Sequence, residues 1–294
     1  MRPFDYYKPK SFEEAFKLLT MPDKVVMPLA GSTDLIPMVR DERWSPDVVV
    51  DIKGLPGLRD IKPAAGGPGC GDCEGECLYV GAAARMNEIA RSPLVNRHWG
   101  VLAQAAGAVG HEQVRNRATL GGNMGTASPA GDTLSALLVL EAEVLIKGAG
   151  GERCVPVTEF FLGPRKTALR PGELIVAVLL PPLPEGSAGS YERLSRRRGA
   201  DLALVGVSAL AIPHAGGYQW RLALGAVAPT PIRVPEAEAV LSASHDAAAL
   251  EQAAQLALAA SHPIDDVRAT AAYRREMVVE LTCRALQHVV EQLA

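Results

Sequence analysis

The chain has 294 residues, 48% of them hydrophobic and 21% charged, with a formal net charge of −3. This balance supports a sizeable core in one or two domains, excludes a disordered chain and gives no general attraction to nucleic acid. No apolar run approaches the ~20 residues of a membrane span. The opening MRPFDYYKPKSFEEAF lacks the apolar core of a secretory signal, so a cytoplasmic protein is expected. Five cysteines, odd in number, do not make a secreted disulfide framework.

In chain order, Ser11 to Leu19 predicts a short helix. Ser11 caps it, Glu14 supplies the capping-box acid, and Phe12, Ala15, Phe16 and Leu19 recur at helical spacing. Val25 to Ala30 predicts a buried strand. Gly31-Ser32-Thr33-Asp34 then forms a tight polar turn, and Leu35 to Val39 starts a helix that Ser32 or Thr33 can cap. The unpaired amides at such a start suit an anion, although an ordinary capped helix fits the same residues. Pro46 to Ile52 is a second strand, completing a compact β-α-β unit. Gly54 to Gly75 is rich in glycine and proline and reads as loop. Cys70, Cys73 and Cys77 form C-x-x-C-x-x-x-C there. Thiolates so close could ligate iron or zinc, but a closed site needs a fourth ligand, and incidental thiols at a loop tip are the alternative. Leu78 to Ala82 returns to strand; Met86 to Ala90 and Leu94 to Ala108 read as helices.

The most distinctive stretch runs from Val109 to Leu140. Two alanine-rich arms flank a glycine-dense polar loop holding Thr119, Gly121, Gly122, Asn123, Gly125, Thr126, Ser128 and Asp132. Glycine lets backbone amides approach a ligand closely, and successive inward amides make an anion nest. Thr119, Asn123, Thr126 and Ser128 add neutral donors, a combination that suits a large phosphate-bearing cofactor. A plain surface loop with glycine turns is the alternative reading. Thr133 to Leu140 then predicts a buried helix, with strands at Val144 to Ile146, Arg153 to Val157 and Glu173 to Leu180. The stretch LPPLPEGSAG marks a domain boundary. Beyond it, Tyr191 to Ser195 reads as a strand, Asp201 to Ile212 as a buried alanine-rich helix and Trp220 to Ala226 as a strand. Helices follow at Ala237 to Leu241, Asp246 to Ala260 and Tyr273 to Leu293. The dinucleotide, P-loop, nucleophile-elbow and zinc-helix motifs are missing, and the histidines are scattered, with only His111 beside the glycine loop. No acid–base or nucleophile set stands out, which fits chemistry carried by a bound cofactor.

The segments LAGSTDL (Leu29 to Leu35) and RNRATLGGNMGTASPAGD (Arg115 to Asp132) resemble the flavin-binding medium subunit of molybdenum hydroxylases, the family of carbon monoxide dehydrogenase, xanthine dehydrogenase and 4-hydroxybenzoyl-CoA reductase. The resemblance continues through FFLGPRKTALRPGELI, RRRGADLALVGVSA, LALGAVAPTPIR and IDDVRATAAYRREMV, and so covers nearly the whole chain. It implies an α+β fold: a vanillyl-alcohol-oxidase-type FAD-binding domain over residues 1–177, with subdomains of about 1–55 and 56–177, and a C-terminal α+β domain over 186–294. It places the two phosphates of FAD on the amides of Ala30, Gly31, Ser32, Thr33 and Asp34, within Leu29 to Leu35, and on those of Thr119 to Asn123, including Gly121 and Gly122, with Gly125 and Thr126 in the same segment. Asp132 is expected to accept from sugar or ribityl hydroxyls, and Gly110, Val114 and Ala118 to pack along the adenosine. Leu169 is expected near the flavin ring. Arg193 stands where some relatives carry a flavin-side lysine, with the same charge but a different shape. The implied activity is an electron relay: an oxidoreductase subunit, with no catalytic side chain of its own, working with a molybdenum-cofactor large subunit and a two-iron iron–sulfur small subunit. The relay ends on NAD, oxygen or another acceptor. Aryl-CoA reductases carry an additional four-iron cluster on an inserted loop, which Cys70, Cys73 and Cys77 resemble while being one ligand short. The competing readings are a stand-alone flavin-dependent reductase of the same superfamily and a scaffold that has lost its flavin.

Overall fold

The computed structural model describes residues 2–64, 77–197 and 199–294. The N-terminal layer consists of β1 (Asp5–Tyr7), α1 (Phe12–Leu19), β2 (Val26–Leu29), α2 (Leu35–Arg40) and β3 (Val48–Asp51), with the strands parallel in the order β1-β3-β2. The predicted β-α-β unit is therefore present as β2-α2-β3. Ser11 Oγ accepts the Glu14 N–H at 3.2 Å, while Glu14 accepts from the Lys10 N–H at 2.8 Å, one residue earlier than a strict capping box. The expectation for α2 needs correcting. Asp34, not Ser32 or Thr33, occupies its N-cap position, and no side chain caps it.

The second layer is an antiparallel sheet of order β4-β5-β10-β6-β7 covered by helices. Its elements are β4 (Ile61–Ala64), β5 (Cys77–Gly81), α3 (Met86–Arg91), α4 (Pro93–His98), α5 (Gly100–Ala108), α6 (Glu112–Arg115), α7 (Leu120–Thr126), α8 (Asp132–Val139), β6 (Glu143–Gly148), β7 (Gly151–Pro156), α9 (Val157–Phe160), β8 (Phe161–Gly163), β9 (Lys166–Thr167) and β10 (Leu174–Leu180). Strand β10 is central and buried along its whole length, which is why it reads as an unbroken apolar run. The helix expected over Leu94 to Ala108 breaks at Trp99, whose indole N–H is drawn to the Pro181 carbonyl at 2.9 Å. The glycine-dense stretch is not a loop. Thr119 Oγ1 accepts the Gly122 N–H at 3.2 Å and starts α7. Strand β4 lies inside the stretch expected to be loop. Cys70 and Cys73 fall outside the described residues, and Cys77 and Cys154 are each disulfide-bonded, so Cys77 offers no free thiolate. Among the described residues, no group of His, Cys, Asp and Glu is arranged to hold a metal ion.

The C-terminal part comprises β11 (Ala188–Leu194), β12 (Val205–His214), β13 (Gly217–Gly225), β14 (Ile232–Arg233), α10 (Pro235–Ala243), α11 (Ala247–Ala260) and α12 (Ala271–Leu293), its strands antiparallel in chain order. The helix expected over Asp201 to Ile212 is in fact β12. The run VGVSALAI is apolar on both faces because α12 covers one and α5 and α8 approach the other, so no alternation marks it as a strand. Burial is divided among a large core under the five-stranded sheet, a second one between β12, β13 and the last three helices, and a small one in the N-terminal layer. A hydrogen bond between the buried hydroxyls of Ser135 and Ser208, 2.9 Å long, joins α8 to β12. Among the described residues, no helix is long and apolar enough to cross a membrane.

Candidate functional site

The turn after β2 and the link between α6 and α7 meet face to face. A Cβ built on Gly31 would stand 2.2 Å from the Arg117 carbonyl oxygen and 3.0 Å from Ala118 Cα. Both are backbone atoms, so only glycine allows the two segments to touch. Ser32 takes a left-handed φ of 63°, a conformation that costs a non-glycine residue about 1 kcal/mol. Its carbonyl accepts the Ile36 N–H at 3.3 Å, but the N–H groups of Ser32, Thr33, Asp34 and Leu35 have no acceptor among the described residues. They are left for a ligand or water. At Gly121 the close approach is to Ala82, whose Cβ would lie 2.6 Å from an added one.

Between these segments lies a cleft of about 780 Å³. Of the residues expected at a site, Ala30, Gly31, Ser32, Thr33, Asp34, Leu35, Gly110, Val114, Ala118, Thr119, Gly121, Gly122, Asn123, Gly125, Thr126, Asp132 and Leu169 all line it. Leu29 does not: it is buried in the small core of the N-terminal layer with Val39 and Val49. Arg193 is also not on the cleft wall but borders a side pocket of about 390 Å³ with Gly110, Arg115 and Ser195. The amide nest expected over Thr119 to Asn123 is largely satisfied within the protein. The N–H groups of Leu120, Gly121, Gly122 and Asn123 donate to Ala84 O, Ala82 O, Thr119 Oγ1 and Thr119 O. The glycines here serve chain-on-chain packing first, and the open amides are those of the Ser32 turn.

The polar wall is built around Asp132, the first residue of α8, which is 6% exposed. Its Oδ1 accepts from the Tyr191 hydroxyl at 2.8 Å and from Arg193 Nη1 at 3.0 Å. Burial pushes the Asp132 carboxyl up to about 6, against the opposing pull of Arg193 and the Tyr191 hydrogen bond. The same burial, together with the Asp132 charge, holds the Tyr191 phenol well above its ordinary value. Both side-chain donors reach Oδ1, the backbone N–H of Asp132 also supports its carboxylate, and the residue lines the cleft. Asp34 is likewise raised by burial, opposed by the Thr126 hydroxyl and the Arg165 charge.

Several further residues line the cleft without a signal in the sequence. Met27, Met38, Trp44 and Ile52 give one end of the cleft an apolar wall, and Ala200, Asp201 and Leu202 close it from the C-terminal part. Arg165 enters at a hairpin tip with a left-handed φ of 59°, pinned by its N–H to the Ala127 carbonyl at 3.0 Å. Their types are those of ordinary core or loop residues; only the fold brings them to one cavity. A cleft with open amides at one turn, a buried carboxylate at a second place and an apolar wall at one end matches a dinucleotide with phosphates, hydroxyls and flat rings. The residues present fit FAD.

Comparison with known proteins agrees. A family described as the FAD binding domain in molybdopterin dehydrogenase matches residues 2–183, and one described as the CO dehydrogenase flavoprotein C-terminal domain matches residues 190–289. The chain is 33% identical over 286 residues to the carbon monoxide dehydrogenase medium chain of Hydrogenophaga pseudoflava, covering 96% of each. It is 33% identical to the glyceraldehyde dehydrogenase medium chain of Sulfolobus acidocaldarius, covering 97% of this chain and 98% of that one. Among solved structures, a chain of carbon monoxide dehydrogenase from Hydrogenophaga pseudoflava that lacks the Mo-pyranopterin moiety of the molybdenum cofactor superposes with a TM-score of 0.92, 33% identity and complete coverage of both.

Proposed function

The chain belongs to the FAD-binding medium subunits of molybdenum hydroxylases, and from that premise we propose that it relays electrons. In this reading it receives them from a two-iron iron–sulfur small subunit, itself fed by a molybdenum-cofactor large subunit, and passes them to NAD, oxygen or another acceptor. The observation that carries the reading is the cleft itself, where two glycine segments are pressed together at Gly31 and Ala118 and leave the Ser32-to-Leu35 amides open. FAD, when bound, supplies one- and two-electron redox chemistry; the protein supplies binding, orientation and electrostatics.

The Ser32 turn holds phosphate oxygens on its open amides. Thr119, Asn123 and Thr126 line the same cavity, and Asp132 Oδ2 receives a sugar or ribityl hydroxyl. Gly110, Val114 and Ala118 pack along the adenosine, and Leu169 excludes water beside the flavin ring. The N-terminal fold is of the vanillyl-alcohol-oxidase type, with domains over residues 1–177 and 186–294. The antiparallel sheet runs to Leu180 and a new sheet starts at Ala188, which supports a boundary in this stretch, three residues beyond 177.

The test is anaerobic. The complex is purified as assembled, its iron–sulfur centres are reduced photochemically, and the visible flavin band is followed. Bleaching of that band after the iron–sulfur signal is the expected result. Flavin that stays oxidised beside reduced clusters, or an isolated chain that turns over a substrate without partners, contradicts the relay.

A further inference from the structure

Arg193 stands beside the cleft without lining it and donates to three acceptors. The side chain leaves β11 and is 12% exposed. Nη1 donates to Asp132 Oδ1 at 3.0 Å and also to the Ala108 carbonyl, while Nη2 donates to the Asp201 carbonyl at 2.9 Å. Each acceptor belongs to a different element. Ala108 ends α5, where the last carbonyls lack helical partners and favour a cation. Asp132 begins α8 and faces the cleft. Asp201 lies in the loop between β11 and β12, whose residues Ala200 to Leu202 form the cleft's C-terminal wall.

Among the described residues, that loop is otherwise held by bonds within the C-terminal part. Leu204 N–H donates to Leu194 O at 2.8 Å, Arg197 Nη2 to Ala200 O at 2.8 Å, and Leu202 N–H to Asp201 Oδ1 at 3.0 Å. Arg193 thus brings the loop's backbone, the end of α5 and the cleft carboxylate onto one planar group. A guanidinium can serve three acceptors in fixed directions; an ammonium carries the charge without that geometry.

We propose that Arg193 is a positioning residue for flavin binding, holding the wall formed by Ala200 to Leu202 in register with Asp132 across the boundary between the two parts of the chain. The inference rests on the FAD reading of the cleft and adds a residue that acts on the ligand through others. Asp132 is the group that transmits the effect. It faces Tyr191 and Arg193 from β11; Asp201, close to Arg196 at 3.6 Å, and Arg197 stand on the loop. On the α5–α6 side, His111, Glu112 and Arg115 border the side pocket next to Arg193, with Glu112 paired to Arg115 and Arg91. Asp34, Glu173 and Arg165 line the cleft farther along.

The experiment uses the full chain as wild type, Arg193→Met and Arg193→Lys, and measures FAD release by flavin fluorescence across the acid range, alongside thermal unfolding of the apo-protein. Arg193→Met is expected to release FAD at least about 10-fold faster, the equivalent of one lost charge-assisted hydrogen bond. The midpoint of its pH dependence should move upward, because the cation that favours ionised Asp132 is gone. Arg193→Lys should restore the midpoint but only part of the slow release. Release from Arg193→Met at the wild-type rate overturns the proposal. So does faster release with an unmoved midpoint, which marks general loosening, or a lysine variant no different from methionine. A wild-type chain that binds no FAD fails the cleft reading itself, an outcome distinct from these.

Discussion

Gly31→Ala yields a destabilised chain without flavin. The added Cβ would stand 2.2 Å from the Arg117 carbonyl oxygen and 2.9 Å from its carbon, atoms of a backbone that has no rotamer to change. Relief requires the β2 turn and the link leading into α7 to move apart, and both line the cleft. Overpacking of this kind costs about 1–3 kcal/mol, and more where only backbone can yield. The binding loss should exceed the stability loss, because the displacement opens the ligand site directly. Gly121→Ala meets Ala82 Cβ at 2.6 Å and its carbonyl oxygen at 2.8 Å, and should behave similarly. Gly100→Ala is the control: an added Cβ meets nothing within 4 Å, and the residue does not line the cleft. Urea unfolding and FAD content, measured on all three, check the account. A Gly31→Ala chain with wild-type stability and full flavin would show that the two segments are not in contact.

Asp132→Asn separates two pH effects of opposite sign. In the wild type the folded carboxyl is raised from 3.8 to about 6, so the fold binds this proton more tightly than the unfolded chain. Its contribution to stability is therefore fully present below the unfolded value and is lost as pH rises through about 6. Flavin binding runs the other way. An ionised Oδ2 is the better acceptor for a ligand hydroxyl, so affinity falls as the pH drops through about 6. Asparagine abolishes both dependences. It also leaves the Arg193 guanidinium without its counter-charge, so at neutral pH FAD should bind about 10-fold more weakly. Apo-protein unfolding and FAD titration at several pH values read the two effects separately. An asparagine variant that keeps the wild-type pH profile for FAD would assign that profile to another group.

The parts of this fold legible in the sequence were those with local causes. Ser11 and Glu14 announce α1 by their spacing, Gly31 to Asp34 announce the turn, and the apolar run of β10 announces a central strand. What failed depended on distant packing. The run Val205 to Ile212 is a strand because helices cover both of its faces, and nothing within the run says so. The glycine segment Gly121 to Gly125 is helical despite poor propensity, because Thr119 caps it and Ala82 needs its bare backbone. At the site, most of the residues expected from the sequence now line one cleft. The exceptions are Leu29, which turns into a core, and Arg193, which reaches Asp132 from behind the wall. Trp44, Arg165 and Leu202 also line it, although their types carry no signal until three distant segments converge.

The most direct test of the central claim is the flavin content of the purified full chain. The protein is denatured, the released chromophore is separated and identified, and its amount is compared with that of the chain. One FAD per chain, or FAD taken up to that ratio by the apo-protein, is the predicted result. A chain that contains no flavin and takes none up, or that prefers FMN, would contradict a cleft built for a dinucleotide.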